Sequence, residues 1–162
     1  MFALVAAASA AADSGPVTVI FSHPEKYADV RDSFGDNDNA RGRERYLPFI
    51  QEHLTRAGAR RLPAGQQLTV TFSDIDLAGD FEPGRGMHFD DIRVIKDLYV
   101  PRLSFTFTLT DASGAVLKSG ERKLVELGFQ MTIRSGFRDD QLRYEKAMLD
   151  DWLRREFATR KG

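Results

Sequence analysis

The sequence predicts an α+β fold, a two-layer sandwich in which a mainly antiparallel sheet of about four to five strands carries two helices on one face. Two segments place apolar residues at three- and four-residue steps, as amphipathic helices do. A third segment, LSFTFTLT at 103–110, alternates apolar and polar residues, as a half-buried strand does. The order along the chain is strand, helix, several strands, helix, which leaves two apolar helix faces to cover one apolar sheet face.

The first strand and the first helix lie on either side of a polar loop. Val17–Phe21 is a nearly continuous apolar run and predicts a strand. Residues 31–42 are polar and lack periodicity, which predicts a loop. A helix is predicted from about residue 44 to residue 59. Because proline is best tolerated in the first turn, we expect the regular helix to begin close to Pro48.

The second strand is predicted from the alternation in QQLTVTFSDIDL, residues 66–77. Leu68, Val70 and Phe72 point to one side of it, and a Gly-rich loop follows at 82–91. The strand at 103–110 is followed by the turn DASG, and residues 115–125 are expected to return as the second arm of a hairpin. The last helix is predicted at 139–157, with Asp139 or Asp140 as its N-terminal cap.

The first residues resemble the end of an export signal. An apolar run at 2–8 passes into small residues, and Ala8-Ser9-Ala10 and Ala10-Ala11-Ala12 fit the small-x-small pattern of signal peptidase sites. No basic residue precedes the run, which suggests that part of the signal is missing; a disordered Ala-rich tail is the alternative. We expect residues 1–12 to be a leader remnant and 13–162 to be one domain in a periplasmic or secreted protein.

Composition excludes several functional classes. The formal net charge is −1, so no strong positive field attracts nucleic acid, and no nucleic-acid partner is expected. The chain has no cysteine, which excludes disulfides, thiol nucleophiles and cysteine-ligated zinc. No stretch is long enough for a transmembrane segment, and no cofactor is predicted.

The acidic run SDIDLAGDFEPG carries Asp74, Asp76, Asp80 and Glu82 within nine residues. Clustered carboxylates are typical of calcium sites, yet an EF-hand loop begun at Asp74 fails, because its twelfth position is Arg85 instead of a bidentate glutamate. Uninterrupted alternation would turn Asp74 and Asp76 toward the core, where unpaired acids are costly.

Three arrangements avoid that cost: the strand leaves the core, a bulge reverses the alternation, or basic residues pair with the acids. Arg85, Arg93 and Lys96 are candidate partners. Ion pairing or turn capping, a divalent-cation site and catalytic carboxylates are the three interpretations of the run.

The other candidate groups are histidines and aromatic rings. His23, His53 and His88 form no zinc-type pair, and His88, beside two aspartates in the Gly-rich loop, is the better candidate for a ligand or an acid–base group. Phe81, Phe89 and Tyr99 surround that loop, and they either form an exposed recognition patch or fold down over the end of the sheet. The sequence contains no complete nucleophile motif.

Four stretches together resemble a known family. SDIDLAGDFEP, DIRVIKDLYVPRLSFTFTL, GAVLKSGERKLVELGF and YEKAMLDDWLRREF are similar to the proteobacterial family catalogued as domain of unknown function three thousand and sixteen. The resemblance covers roughly 17–157. It implies export, since members of that family typically begin with signal peptides, and it implies no established activity.

The sequence is therefore compatible with two functions. The first is a non-enzymatic binding module that contacts a protein or another component of the cell envelope, with the threonine-rich face of 103–110 as an open surface or an exposed sheet edge. The second is a small-molecule or divalent-metal-binding protein, or a hydrolase, that uses Asp74, Asp76, Asp80, Glu82, His88 and Arg93. The oligomeric state is not determined by the sequence.

Overall fold

A computed structural model describes residues 15–84, 86, 89–131 and 139–158. The main sheet has four strands, β1 (Val17–Phe21), β2 (Gln67–Asp76), β5 (Arg102–Thr110) and β6 (Val116–Val125), in the order β1-β2-β5-β6. The pair β1/β2 is parallel, whereas β2/β5 and β5/β6 are antiparallel. Two short strands, β3 (Asp80–Phe81) and β4 (Arg93–Val94), form a separate antiparallel pair that the sequence did not predict. The α+β class is confirmed.

Helix α1 (Ala40–Ala59) connects the parallel strands β1 and β2, and helix α2 (Arg143–Glu156) ends the described fold. Trp152 of α2 lies against the rings of Phe105 and Phe107 on β5, with centroid distances of 4.6 and 5.5 Å. Gly58 of α1 lies directly against the side chain of Val17 on β1. The alternating apolar residues of β2 and β5 thus share one core with both helices, as the predicted faces required.

The expected start of α1 near Pro48 is wrong. The helix begins two turns earlier, at Ala40, and Pro48 lies inside it on the exposed side. The carboxylate of Asp36 accepts the backbone N–H groups of Arg41 and Gly42, at 3.1 and 2.8 Å, and so stabilises the first turn. This capping was not visible in the sequence, because Asp36 lies outside the helix that it caps.

The predicted cap of the last helix is wrong, because the N-cap position is Leu142, whose side chain makes no capping hydrogen bond. The helix begins at Arg143, later than expected, and Asp140 accepts the N–H of Leu142 at 2.8 Å just before the first turn.

Strand β5 is not an edge of the sheet, since it is hydrogen-bonded to β2 on one side and to β6 on the other. Its threonine-rich face remains open, with Thr106 exposed and Thr108 half-buried. The long edge of the sheet is β6.

Candidate functional site

A bulge in β2 sets the orientation of the acidic run. The pairing of β2 with β5 shifts between Phe72 and Asp74, so that Ile75 and Leu77 become buried. Asp74 and Asp76 consequently turn away from the core, which is the second of the three arrangements that the sequence allowed.

Each acid of the run has a partner. Asp74 accepts the N–H of Ala28 at 2.7 Å, and Asp76 lies 3.4 Å from the guanidinium of Arg102. The other two acids also pair within the fold: Asp80 accepts from Arg31 at 2.7 Å, and Glu82 contacts Lys96 and accepts the Tyr99 hydroxyl at 2.8 Å. Ion pairing and turn capping thus account for the observed contacts of all four carboxylates.

Arg93 does not pair with the acidic run. Its guanidinium donates to both carboxylate oxygens of Asp29, at 2.9 and 3.2 Å, and to the carbonyl oxygens of Gly79 and Arg31. Burial opposes the ionisation of Asp29, but hydrogen bonds from Arg93 and Arg31 outweigh it and hold the pKa of Asp29 below its usual value. Arg93 also lies over the buried ring of Phe81, 4.7 Å from its centroid.

The ion pairs border a small acidic cleft of about 250 Å³, whose polar lining comes from Asp29, Arg31, Asp76, Asp80, Tyr99 and Arg102. Burial, helped by the charges of Asp29 and Asp74 and opposed by Arg102, raises the pKa of Asp76 to about 6. Asp74 and Glu82 do not line this cleft, so the acidic run does not converge as a whole.

His88 and Arg85 lie outside the described residues, and their predicted roles stay predictions. Within the described part of the chain, no three His, Asp or Glu side chains are placed to hold a metal ion. The predicted aromatic group is divided: Phe81 is buried, Tyr99 is half-buried, and Phe89 is 47% exposed.

A second and larger cleft of about 380 Å³ lies on the other side of Arg93. We call it the aromatic–arginine cleft; its principal side chains are Arg45, Tyr46, Phe81, Arg93, Arg143 and Tyr144. Arg45 lies over the ring of Tyr46, 5.4 Å from its centroid, and donates to the Gln141 side chain at 3.3 Å. Arg143 lies over the ring of Tyr144 at 4.7 Å. The carboxylates of Asp32 and Asp91 lie at the same cleft.

A buried glutamate joins this region to the end of β2. Glu145 of α2 is 1% exposed, and its Oε1 accepts the N–H of Ala78 at 2.6 Å. Burial raises the pKa of this carboxyl. Glu145 therefore fixes α2 against the turn after β2, between Asp76 and Asp80, and with it the position of the adjacent Tyr144.

Sequence reasoning named Phe81 and Arg93 but missed the other principal residues of the aromatic–arginine cleft. Arg45 and Tyr46 lie in α1, Arg143 and Tyr144 in α2, and Asp32 in the loop between β1 and α1. The one available signal was the Arg-Tyr dipeptide that occurs in the second turn of α1 and again at the start of α2. Such a dipeptide is too short to predict a site before the two helices are known to lie side by side.

The fold and its clefts define a small α+β domain with two neighbouring surface clefts, one acidic and one rich in arginine and aromatic rings. The chain belongs to the family DUF3016, proteins of unknown function, whose model matches residues 15–155. The family resemblance stated from the sequence is thereby confirmed.

Solved structures give only a distant likeness. A variant of PelC from Paraburkholderia phytofirmans, solved as a dodecamer, is 14% identical, with 91% of this chain and 90% of that chain covered and a TM-score of 0.38. A second PelC dodecamer from the same organism is 15% identical, with coverage of 89% and 90% and a TM-score of 0.35. No curated protein matches the chain. Among the described residues, no helix is long and apolar enough to cross a membrane.

Proposed function

We propose that the protein is an exported, non-enzymatic binding module of the cell envelope, and that its aromatic–arginine cleft binds an anionic group of its partner. The observation that carries this proposal is the guanidinium of Arg45. It is exposed at the cleft, and the structure places a tyrosine ring and a neutral glutamine amide against it, with no carboxylate among its described partners.

The chemistry of the cleft supports this function. A guanidinium binds a carboxylate or a phosphate through two parallel hydrogen bonds, and aromatic rings beside it offer apolar contact area. The volume lies within the range of small-ligand sites. Its described lining residues include no histidine, serine, threonine or lysine, so a nucleophile of the serine or threonine type with a histidine or lysine base is not found among them.

Binding of small anionic probes tests the cleft. We expect N-acetylphenylalanine or phenyl phosphate to bind in calorimetry, and the better of the two identifies the anionic group. Arg45→Gln is expected to weaken binding by about tenfold or more, because a charge-assisted bond is lost. Arg60→Gln, an exposed arginine after the end of α1, is the matched control. Absence of binding by both probes, or equal binding by Arg45→Gln and Arg60→Gln, would contradict the proposal.

The proposed location rests on the small-x-small patterns between Ala8 and Ala12, and it includes removal of residues 1–12 to leave 13–162 as the working domain. Mass spectrometry of the protein purified from the cells that naturally produce it tests this location, because expression of the chain as given would omit the missing part of the signal. A periplasmic species that begins near Ala11 or Asp13 is the expected product. A species that retains Met1 in the cytosolic fraction would count against export.

A second function, binding of a small molecule or a divalent cation, is favoured by Asp76, whose pKa is raised in the acidic cleft. Thermal unfolding with calcium or zinc tests it, since an ion that binds only the native state raises its stability. A shift of several degrees that Asp74→Asn/Asp76→Asn abolishes would support this function. An equal shift in that double variant, or no shift in the wild type, would exclude the site as drawn.

A further inference from the structure

Strand β6 is the long free edge of the main sheet. Nine of its ten residues pair with β5, Leu117 lies outside the register at a bulge, and no described strand pairs with its other side. Most of its side chains are exposed. Such an edge presents backbone donors and acceptors to a further strand, and monomeric proteins usually protect it with proline, charged residues or bulges. The bulge of β6 lies at its first residues and leaves 118–125 regular. Strand β6 contains no proline.

Two of the charged residues of β6 pair within the fold and do not protect the edge. Lys118 and Arg122 lie on the inner side of the strand, where both contact the carboxylate of Glu156, at 2.6 Å and 2.7 Å. Arg122 also donates from its Nε to the same carboxylate at 2.9 Å. These two cations are therefore used within the fold. Glu121 and Lys123 remain on the outer face, where their charged groups lie 3.8 Å apart in a loose, exposed pair within the chain.

The outer face of β6 is complementary to itself. Its residues are Leu117, Ser119, Glu121, Lys123 and Val125, of which Leu117 is 50% and Val125 49% exposed. An antiparallel pairing with a second copy, centred on Arg122, places each Glu121 opposite the other copy's Lys123. It also places each Ser119 opposite a Val125, the last residue of the strand.

Neighbouring registers lack this complementarity. A centre on Glu121 or on Lys123 places like charges opposite each other, which destabilises a sheet. A shift by one residue places outer-face side chains opposite inner-face ones and breaks the alternation of the combined sheet. In the favoured register Arg122 lies on the two-fold axis, where Glu156 of its own chain already neutralises it.

We propose that two copies of this chain associate through β6, antiparallel and centred on Arg122, to form one continuous eight-stranded sheet with Glu121–Lys123 pairs on its outer face. The interface is isologous, as in most two-fold dimers. It does not depend on the proposed function, because no residue of β6 lines either cleft.

Charge reversal tests the register directly. Sedimentation velocity of the wild type, at concentrations from micromolar to millimolar, is expected to show a monomer–dimer equilibrium. Each of two single variants, Glu121→Lys and Lys123→Glu, places like charges opposite each other at both symmetry-related positions. Each is expected to raise the dimer dissociation constant about tenfold or more. Glu44→Lys, an exposed reversal on α1, is the matched control and should leave the constant unchanged.

Two restorations distinguish this pairing from a general charge effect. The double variant Glu121→Lys/Lys123→Glu recovers opposite charges and is expected to dimerise as the wild type does. An equimolar mixture of the two single variants is expected to form the heterodimer, since one strand is then positive and the other negative at these positions. A wild type that stays monomeric, or restorations that fail while both single variants remain folded, would overturn the proposal.

Discussion

Two carboxyl groups of the described fold have a raised pKa, and they differ in what holds them. Glu145 is enclosed and bonds to the backbone of Ala78, so it contributes to the packing of α2. Asp76 lies in an open cleft, between Asp29 and Arg102, and no tight partner offsets its partial burial. A carboxyl group that lies in a cleft, and whose ionised form the fold disfavours, is often a functional residue.

The sign of this shift leads to a first prediction. The folded pKa of Asp76, about 6, exceeds its ordinary value of 3.8. The stability that its protonated form contributes is therefore fully present below pH 3.8 and is lost as the pH rises through 6. Asp76→Asn should therefore raise the free energy of unfolding at pH 7 by about 1 kcal/mol, after allowance for solvent screening, and by little at pH 4. Urea unfolding at both pH values measures this.

Asp90→Asn is the control for Asp76, because Asp90 is exposed and the structure gives its side chain no hydrogen bond. We expect no change in stability from it at either pH. A loss of stability in Asp76→Asn at pH 7 would show that its contact with Arg102 outweighs the cost of burial.

Trp152 carries the second prediction. It is 2% exposed and meets the rings of Phe105, Phe107 and Phe157, so its truncation leaves a large cavity between α2 and the sheet. Trp152→Ala is expected to cost about 3–5 kcal/mol, measured by urea unfolding. Phe49→Ala, at a position 52% exposed, is the comparison and should cost far less. Equal losses in the two variants would place Trp152 outside the core.

At the scale of elements, the bulge of β2 decides which side of the sheet carries charge. Upstream of it, Leu68, Val70 and Phe72 are buried at every second residue, and downstream Ile75 and Leu77 continue the buried series. Ser73 is the extra residue that makes this change of phase possible. Without it, the two aspartates that follow would face the core.

Deletion of Ser73 is therefore expected to abolish cooperative folding, because two carboxylates would be buried without partners or the strand would lose its pairing. Circular dichroism with thermal unfolding measures the effect. Ser73→Ala retains the bulge and gives up only a long, exposed hydrogen bond to Ser104, so it should unfold within about 0.5 kcal/mol of the wild type. A deletion variant that unfolds as cooperatively as Ser73→Ala would disprove the role of the bulge.

For the whole molecule, the acids divide into two groups with opposite effects on the pH dependence of stability. Hydrogen bonds from Arg122 lower the pKa of Glu156 to about 2, and the pKa values of Asp29, Asp36 and Asp140 are also below their ordinary range. Their stabilisation is present above the unfolded values and is lost as the pH falls through the folded ones. Asp76 and Glu145 act in the opposite direction.

The free energy of unfolding should consequently pass through a maximum at mildly acidic pH, near 5, and fall steeply below about 4. Chemical unfolding at closely spaced pH values measures the profile. Glu156→Gln should flatten the acid limb, and Asp76→Asn should flatten the limb above the maximum. A stability that rises without a break to neutral pH would contradict this division.

The sequence by itself determined the α+β class, the family, the alternating face of β5 and the apolar stripes of both helices. These features depend on residue periodicity and on local chemistry, which are present in the chain before it folds. It also limited the orientation of the acidic run to three arrangements, because unpaired carboxylates cannot enter a core.

Tertiary structure alone decided the rest. The bulge at Ser73 and the pairing of Arg93 with Asp29 each depend on residues brought together from distant positions. The aromatic–arginine cleft exists because α1 and α2 lie side by side, which places Arg45 near Gln141 across 96 residues of chain. The free edge at β6 likewise follows from strand order. Contacts of this range are set by the packing of whole elements, and no local pattern of residues records them.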